Sequence, residues 1–395
     1  MRRRSLVAAT GTPGGACPSM PLHKTVIRIH SPGASLARRT GVSLHGHTLH
    51  SREGMLFIRR IAESFPPLRS AIDLAARRRG CAGISGVAWD RVYWTPPLAP
   101  RQAYEVEANQ ILGLGLDPLV SLTDHDDISA PAALSALPDL SERVPISVEW
   151  TFPFGETFFH LGVHNLPAGN AKREWNRLAA AARSGDRRLL LSLLREIRSL
   201  DGTLLVLNHP YWDEKGIGQS RHESALYALL GEALPWLDAL ELNGFRPAGE
   251  NRAAAECARR TGLPLVSGGD RHGIEPSSCL NLTDAASFAE FAAEVRHEKR
   301  SEILLMPHYF HHRAFRVIQH IAGILRDDPD HGLGWRRWDD RMFFRDKRGV
   351  VRSLREFWNG RPPALASAFV GVVRLMGHEP VRQAVRAALG EEGSL

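Results

Sequence analysis

Short apolar runs alternate with longer stretches of helical periodicity through the middle of the chain. The apolar runs are of strand length and lie at 119–123, 144–148, 158–163, 204–207, 239–242 and 264–267. Apolar residues recurring at helical spacing predict helices at 103–112, 187–200, 224–234 and 251–261. This repetition of helix and strand predicts an α/β fold built on a largely parallel sheet.

Nearly every predicted strand ends in polar residues. The run at 119–123 leads into Asp124 and His125, and the run at 144–148 leads directly into Glu149. In α/β barrels the active site lies at the carboxyl ends of the strands. An open doubly wound sheet would instead gather its site at one switch point. Polar ends on so many strands therefore favour a closed or nearly closed barrel.

The two ends of the chain depart from this repeat. Residues 1–39 are rich in Gly, Pro, Ser and Arg, which is typical of a loose extension. A central barrel domain is predicted at 40–300. Within it, an irregular stretch at 52–100, with two helical patterns at 55–63 and 68–79, precedes the helix–strand repeat. Residues 301–395 are predicted to form a C-terminal extension of mainly helix and loop.

Composition and charge narrow the class of protein. Of the 395 residues, 43% are hydrophobic and 24% charged, as in ordinary globular proteins. The net charge of +7 suits anionic partners, either small phosphorylated substrates or nucleic acid. No apolar run approaches the roughly 18 residues of a membrane span, so no membrane partner is expected. The four cysteines form no C-x-x-C pair, which favours free thiols and a cytoplasmic location. Oligomeric state is left open.

The stretch VSLHGHTLHS at 42–51 contains three histidines within six residues. On a strand, His45 and His47 would lie on one face, where two imidazoles can share a metal ion. Taken alone, an H-x-H pair is as consistent with a polar strand end. Together with the later strand ends, the candidate ligands become His45, His47, His125, Glu149, His160, His209, Asp270 and His272. Mixed imidazole and carboxylate ligands favour two or three ions of Mn, Fe or Zn.

These motifs resemble those of the polymerase and histidinol phosphatase (PHP) family of metal-dependent phosphoesterases. HGHTLHS resembles its first motif and TDHD at 123–126 its second. A glutamate, Glu149, is followed by His160, then by an NHP motif containing His209 and by the G-D-R-H run at 269–272. The resemblance spans about residues 42–300. It implies a distorted (β/α)7 barrel of PHP type that holds two or three divalent metal ions.

The resemblance also implies a distribution of ligands. One ion would be held by His45, His47, Glu149 and Asp270. Glu149 would bridge to a second ion held by His160 and His209, and His125 and His272 would serve a third ion or donate a proton.

The chain departs from the family pattern beside its first motif. Ser43 stands where the family has aspartate, and Arg52 follows the motif where the family has an acidic residue that helps to hold a third ion. Glu53, one residue further on, is expected to act as that ligand.

The implied activity is hydrolysis of a phosphomonoester or phosphodiester by a metal-bound hydroxide. Asp270 would accept the proton of the attacking water, and His125 or His272 would protonate the leaving oxygen. Candidate phosphate contacts are Thr151, Arg246 and Arg271. Two alternatives remain at this point: a nuclease acting on nucleic-acid ends, which the basic charge supports, and a non-catalytic PHP-like binding protein.

Overall fold

A computed structural model of the chain describes residues 24–33, 35–55, 70, 73–74, 88–345 and 348–391. Within them the chain forms a mixed α/β fold. The strands are β1 (Lys24–Ile29), β2 (Thr40–Leu44), β3 (Glu53–Gly54), β4 (Val92–Trp94), β5 (Asp117–Ser121), β6 (Val148–Phe154), β7 (Thr157–His164), β8 (Leu204–Leu207), β9 (Ala239–Asn243), β10 (Leu265–Gly268), β11 (Cys279–Thr283), β12 (Arg300–Leu305), β13 (Met342–Arg345) and β14 (Val351–Ser353). The α-helices are α1 (Pro100–Gly113), α2 (Ser129–Ser135), α3 (Ala171–Ser184), α4 (Arg187–Arg198), α5 (Gln219–Ala233), α6 (Ala248–Thr261), α7 (Phe288–Arg296), α8 (Arg313–Ile324), α9 (Leu354–Phe357), α10 (Ala364–Gly377) and α11 (Glu379–Leu389).

Two five-stranded sheets form the centre of the fold, in the orders β1-β12-β11-β2-β5 and β10-β9-β8-β7-β6. The pairs β2–β5, β8–β9 and β9–β10 are parallel, as predicted. The pairs β6–β7 and β7–β8 are antiparallel, and β11 is antiparallel to both its neighbours. The prediction of a largely parallel sheet is therefore wrong for β6, β7 and β11. Only two residues connect β6 to β7, and such a short connection permits only antiparallel pairing.

The two central sheets approach each other at two places. An isolated parallel bridge joins Gly46, just past β2, to Arg271, just past β10. A second one joins His125, just past β5, to Glu149 of β6. Among the described residues these bridges are not continued as strand pairing, so a closed hydrogen-bonded barrel is not established.

The core follows from the apolar pattern. All four residues of β8 are buried, as expected for a central strand covered on both faces. Helix α4 buries Leu190, Leu193, Leu194 and Ile197, which recur at helical spacing. Its first turn is capped by Asp186, whose carboxylate accepts hydrogen bonds from the amides of Arg188 and Leu189. The predictions of a strand at 204–207 and a helix at 187–200 are confirmed.

The predicted bounds are wrong around Glu149. The strand expected at 144–148 begins only at Val148 and continues to Phe154, so Glu149 is the second residue of β6 rather than the residue that follows a strand. His160 lies inside β7, as the apolar run at 158–163 predicts. Both side chains reach the site from within an antiparallel hairpin.

Both chain ends contain strands that the apolar pattern did not predict. Residues 24–29, within the segment expected to be loose, form β1 and pair in parallel with β12. The C-terminal segment contributes β13 and β14 to a third sheet of order β14-β13-β4-β3. The helices predicted at 55–63 and 68–79 lie largely outside the described residues, and the division into three parts stays a prediction. No helix among the residues described has the length and apolarity needed to cross a membrane.

Candidate metal centre

The buried carboxylate of Glu149 lies among five imidazoles. From its Oε2 the nearest ring nitrogens are those of His45 at 2.9 Å, His125 at 3.3 Å and His47 at 3.4 Å, and from its Oε1 those of His209 at 3.0 Å and His160 at 3.2 Å. Glu149 is completely buried. Both of its oxygens therefore face ring nitrogens, which is the arrangement of a carboxylate that bridges two cations.

A second group of ligand atoms surrounds Glu53. Its Oε2 lies 3.0 Å from His272 Nε2 and 3.5 Å from His125 Nε2, and its Oε1 lies 3.8 Å from His47 Nδ1. The hydroxyl of Ser51 donates a hydrogen bond to it. Arg52 is exposed and lies over the ring of Tyr93, so its charge is directed away from this group. Glu53 thus lies among the other candidate ligands, and its role as a ligand stays a prediction.

Asp270 completes the set of nine predicted ligands. Its Oδ1 lies 3.6 Å from Nε2 of both His45 and His47. The nine side chains that the structure brings together are His45, His47, Glu53, His125, Glu149, His160, His209, Asp270 and His272.

Several of these residues have a strained backbone. His45, His209 and Asp270 have φ values of 64°, 26° and 52°, in the region that favours glycine. Each such residue costs roughly 1–3 kcal/mol and persists only where the surrounding structure enforces it. Three strained residues at the ends of three different strands indicate that the fold holds these side chains in place at the expense of stability.

Burial and mutual charge determine the ionisation of the cluster. Burial alone would lower the pKa of His45, but the carboxylate of Glu149 and two others raise it well above its ordinary value. Burial alone would raise the pKa of Glu149, but the surrounding imidazoles, His45 foremost, hold it well below its ordinary value. Burial and the neighbouring His272 lower the pKa of His47 to about 3, so that ring is neutral. A bound cation would stabilise the same ionised carboxylates and displace the imidazole protons.

The residues present fit divalent metal ions. Nε2 of His47 is buried without a hydrogen-bond partner, while its Nδ1 lies 3.3 Å from the hydroxyl of Ser51. A neutral imidazole with one unpaired nitrogen beside carboxylates has the state and surroundings that are typical of a metal ligand. Within the described part of the chain, four sets of ligand atoms lie within 4.8 Å of one another: His47, Glu53, His125 and His272; His45, His47 and Glu149; His45, His209 and Glu241; and His125, Glu149 and His160.

One member of these sets, Glu241, is not among the predicted ligands. Its Oε1 lies 2.5 Å from His45 Nδ1, and its Oε2 accepts hydrogen bonds from the His209 amide at 2.7 Å and from Asn243 Nδ2 at 2.9 Å. A Cβ on Gly268 would lie 1.6 Å from its Oε1, so glycine makes room for this carboxylate. The signal was present: a glutamate inside the apolar run 239–242 must be buried, and a buried carboxylate needs partners.

Replacing Glu241 with alanine is expected to weaken metal binding by about 10- to 100-fold, since partners that orient a ligating histidine have effects of that size. Calorimetric titration of the metal-depleted protein with Mn²⁺ measures this. Glu174→Ala is the matched control, because Glu174 is equally buried but pairs with Arg173 and Arg177 on α3. Equal affinities for the two variants would contradict the role of Glu241.

Arg271 does not occupy the position of a phosphate clamp. Its Nε donates to Glu107 Oε1 at 2.8 Å, and its two other nitrogens donate to the carbonyls of Gly273 and His47. The hydroxyl of Ser43 donates to Glu107 Oε2 at 3.0 Å. Arg271 and Glu107 are both buried. The expectation of substrate contact is therefore unsupported for Arg271, which instead forms a buried ion pair behind the site, with Ser43 as a further partner of Glu107.

Arg271→Ala would leave the carboxylate of Glu107 buried without its ion-pair partner. Breaking a buried pair in this way costs roughly 3–5 kcal/mol, so we expect the free energy of unfolding in urea to fall by about that amount. Arg259→Ala removes an exposed arginine paired with Glu256 and is expected to leave the free energy of unfolding almost unchanged. Losses of similar size in the two variants would refute the buried-pair interpretation.

The other two predicted substrate contacts lie beside the cluster. Thr151 lies two residues after Glu149 on β6, so the two side chains share a sheet face. Thr151 is paired with His160 of β7, and its amide donates to Asp126. The guanidinium of Arg246 lies 4.2 Å from the ring centre of Trp212 and donates to Glu250. Trp212 contacts His209 edge-on at 5.0 Å. Arg246 is thus separated from the candidate ligands by one aromatic ring, and both substrate roles stay predictions.

Comparison with known proteins gives a weak and partial likeness. No family model matches the chain, and no curated protein matches it. An amidohydrolase from Chromobacterium violaceum, solved with sulfate and without metal, is 17% identical, with 45% of this chain and 84% of that one covered and a TM-score of 0.30. A protein of Bifidobacterium adolescentis, described as a candidate metal-dependent phosphoesterase, is 14% identical, with 51% and 92% covered and a TM-score of 0.31. The assignment of the site therefore rests on its own geometry.

Proposed function

We propose that this chain is a metal-dependent phosphoesterase of the PHP family. The observation that carries the proposal is Glu149, buried with both oxygens facing five imidazoles from four separate segments of the chain. A carboxylate in that position suits two jointly held divalent ions, and paired ions suit phosphoester hydrolysis. The net charge of +7 agrees with an anionic substrate.

The proposed fold is the distorted (β/α)7 barrel of that family. Support comes from the two isolated bridges between the sheets, which link the segment after β2 to the segment after β10 and the segment after β5 to β6. Continued around those bridges, the strands β2, β5, β6, β7, β8, β9 and β10 would form one ring. The candidate ligands lie on or just past these strands, apart from Glu53 on β3.

The proposed ions number three and are Mn, Fe or Zn. When bound, they lower the pKa of a coordinated water and neutralise charge on the phosphoryl oxygens. Glu149 would bridge the first two, one beside His45, His47 and Asp270 and the other beside His160 and His209. Glu53, His125 and His272 would hold the third.

The protein side chains would then perform the proton transfers. Asp270 lies among the ligands of the first ion and would accept a proton from the attacking water. The side chains of His125 and His272 are 15% and 13% exposed, whereas that of Glu149 is fully buried. The two partly exposed imidazoles are accessible to substrate. Where the third ion is not bound, one of them would instead protonate the leaving oxygen. Arg246, beside the site, is assigned to substrate binding.

Hydrolysis of 4-nitrophenyl phosphate in the presence of Mn²⁺ tests this function, set beside release of nucleotides from single-stranded DNA. We expect metal-dependent release of nitrophenol that exceeds nucleotide release. Nucleotide release alone would favour the nuclease hypothesis. If neither reaction occurs and the purified protein contains no metal, the chain is a non-catalytic binding protein and the proposal is wrong.

A further inference from the structure

We propose that the C-terminal segment 301–391 holds the third metal site in place, so that this site is shared between the central sheets and the C-terminal segment. The inference rests on the proposed function and concerns the group of Glu53, His125 and His272, called here the Glu53 site. It assigns a role to a segment whose sequence carries no catalytic motif.

The backbone of Glu53 is held through a relay of short strands. Strand β3 contains only Glu53 and Gly54, and in the described chain its strand partner is β4, with Glu53 opposite Trp94. On its other side β4 pairs with β13 of the C-terminal segment, where Met342 lies opposite Trp94. A two-residue strand at a sheet edge gains little from its own pairing, so its position depends on β4 and β13.

Arg341 fixes this relay to helix α8. Its side chain is almost completely buried, and its Nη2 donates to the carbonyls of Ile324 and Arg326, at the C-terminal end of α8. Its own carbonyl accepts a hydrogen bond from the amide of Thr95 at 3.0 Å, next to β4. One residue thus connects the helix, the start of β13 and the strand opposite Glu53. Charged hydrogen bonds to carbonyls at a helix C-terminus are favourable because the helix dipole is negative there.

The side chain of His272 is enclosed by the same elements. Its ring lies 5.8 Å from that of Trp94 and 5.6 Å from that of His320, which belongs to α8. Trp94 in turn forms an apolar cluster with Met55 and with Ile324 of α8. Helix α8 therefore supports His272 directly through His320, and indirectly through Ile324 and Trp94.

The other ligands depend on different elements. His45 follows β2, Glu149 and His160 lie on β6 and β7, and His209 follows β8. These are strands of the two central sheets. Loosening the contact between α8, β13 and β4 is therefore expected to affect the Glu53 site and to leave the pair of ions around Glu149 bound.

Two substitutions test the proposal in the full-length protein. Arg341→Ala removes the connection between α8 and β13, and His320→Ala removes the ring beside His272. Arg374→Ala is the matched control, since Arg374 lies in the same segment, donates to the carbonyl of Leu325 and pairs with Asp327, neither of which belongs to β4 or β13. Bound Mn is counted by elemental analysis after gel filtration, and the last equivalent is titrated calorimetrically.

We expect three equivalents in the wild type and in Arg374→Ala. In Arg341→Ala and His320→Ala we expect two retained equivalents and a third bound at least about 10-fold more weakly, the usual scale for loss of ligand support. Circular dichroism establishes that each variant is folded, and if Arg341→Ala does not fold, His320→Ala decides.

Three tightly bound equivalents of Mn in His320→Ala would overturn the proposal. So would only two equivalents of Mn in the wild type, or an equal loss of all three in the folded variants. Absence of both metal and aryl phosphate hydrolysis in the wild type would instead mark failure of the proposed function. The two failures are therefore distinguishable.

Discussion

Replacing Glu149 with glutamine is expected to lower kcat for aryl phosphate hydrolysis by about 1,000-fold or more. The amide has no charge to hold two cations, and one of its two oxygens becomes an N–H donor facing imidazoles at 3.0 and 3.2 Å. Losing the charge stabilisation that one ion gives to the transition state costs several kcal/mol. A loss of that size corresponds to a decrease in kcat of about this magnitude. The change is nearly isosteric, so the protein should fold. Steady-state kinetics at saturating Mn²⁺ measures the effect.

Glu156→Gln is the control for Glu149→Gln. Glu156 lies in the turn between β6 and β7, exposed and paired with Arg221, and its replacement should leave kcat within a factor of about 2. If the Glu149 variant retained more than about a tenth of the wild-type kcat with its metal content unchanged, the bridging role would be refuted.

Removal of metal is expected to abolish hydrolysis and to lower the melting temperature. An ion that binds only the folded protein stabilises it by about 2.7 kcal/mol when present at 100 times its dissociation constant, which amounts to several degrees in Tm. Dialysis against a chelator, followed by calorimetry and assay, measures both effects.

Readdition of Mn²⁺ should restore activity and melting temperature together, whereas Ca²⁺ should restore neither, because a site rich in imidazole does not suit a hard cation. Full activity in the chelated protein would contradict metal dependence. Restoration by Ca²⁺ alone would contradict the ligand assignment.

The parts of the site that are local in sequence were predictable. The polar residues that follow β2, β5, β8 and β10 are visible in the chain because strand ends are properties of adjacent residues. The bounds of β8 were predicted correctly for the same reason. The expectation that His45 and His47 lie on one face of a strand is wrong, since both follow the end of β2 at Leu44.

The parts that depend on distant contacts were not predictable. Glu241 is recognisable as a buried carboxylate, but its partner His45 lies nearly two hundred residues earlier in the chain. Arg271 follows Asp270 and was therefore expected to bind phosphate. In the structure it pairs with Glu107, which lies on α1 in a distant part of the chain. The orientation of β7 was missed because strand pairing depends on the two-residue turn rather than on the apolar pattern.

The most direct test of the account is anomalous diffraction from crystals grown with Mn²⁺, recorded near the manganese edge. We expect peaks on both sides of the Glu149 carboxylate, one beside His45, His47 and Asp270 and the other beside His160 and His209. A map with no peak within coordination distance of Glu149 would contradict the central claim that this cluster is a metal centre.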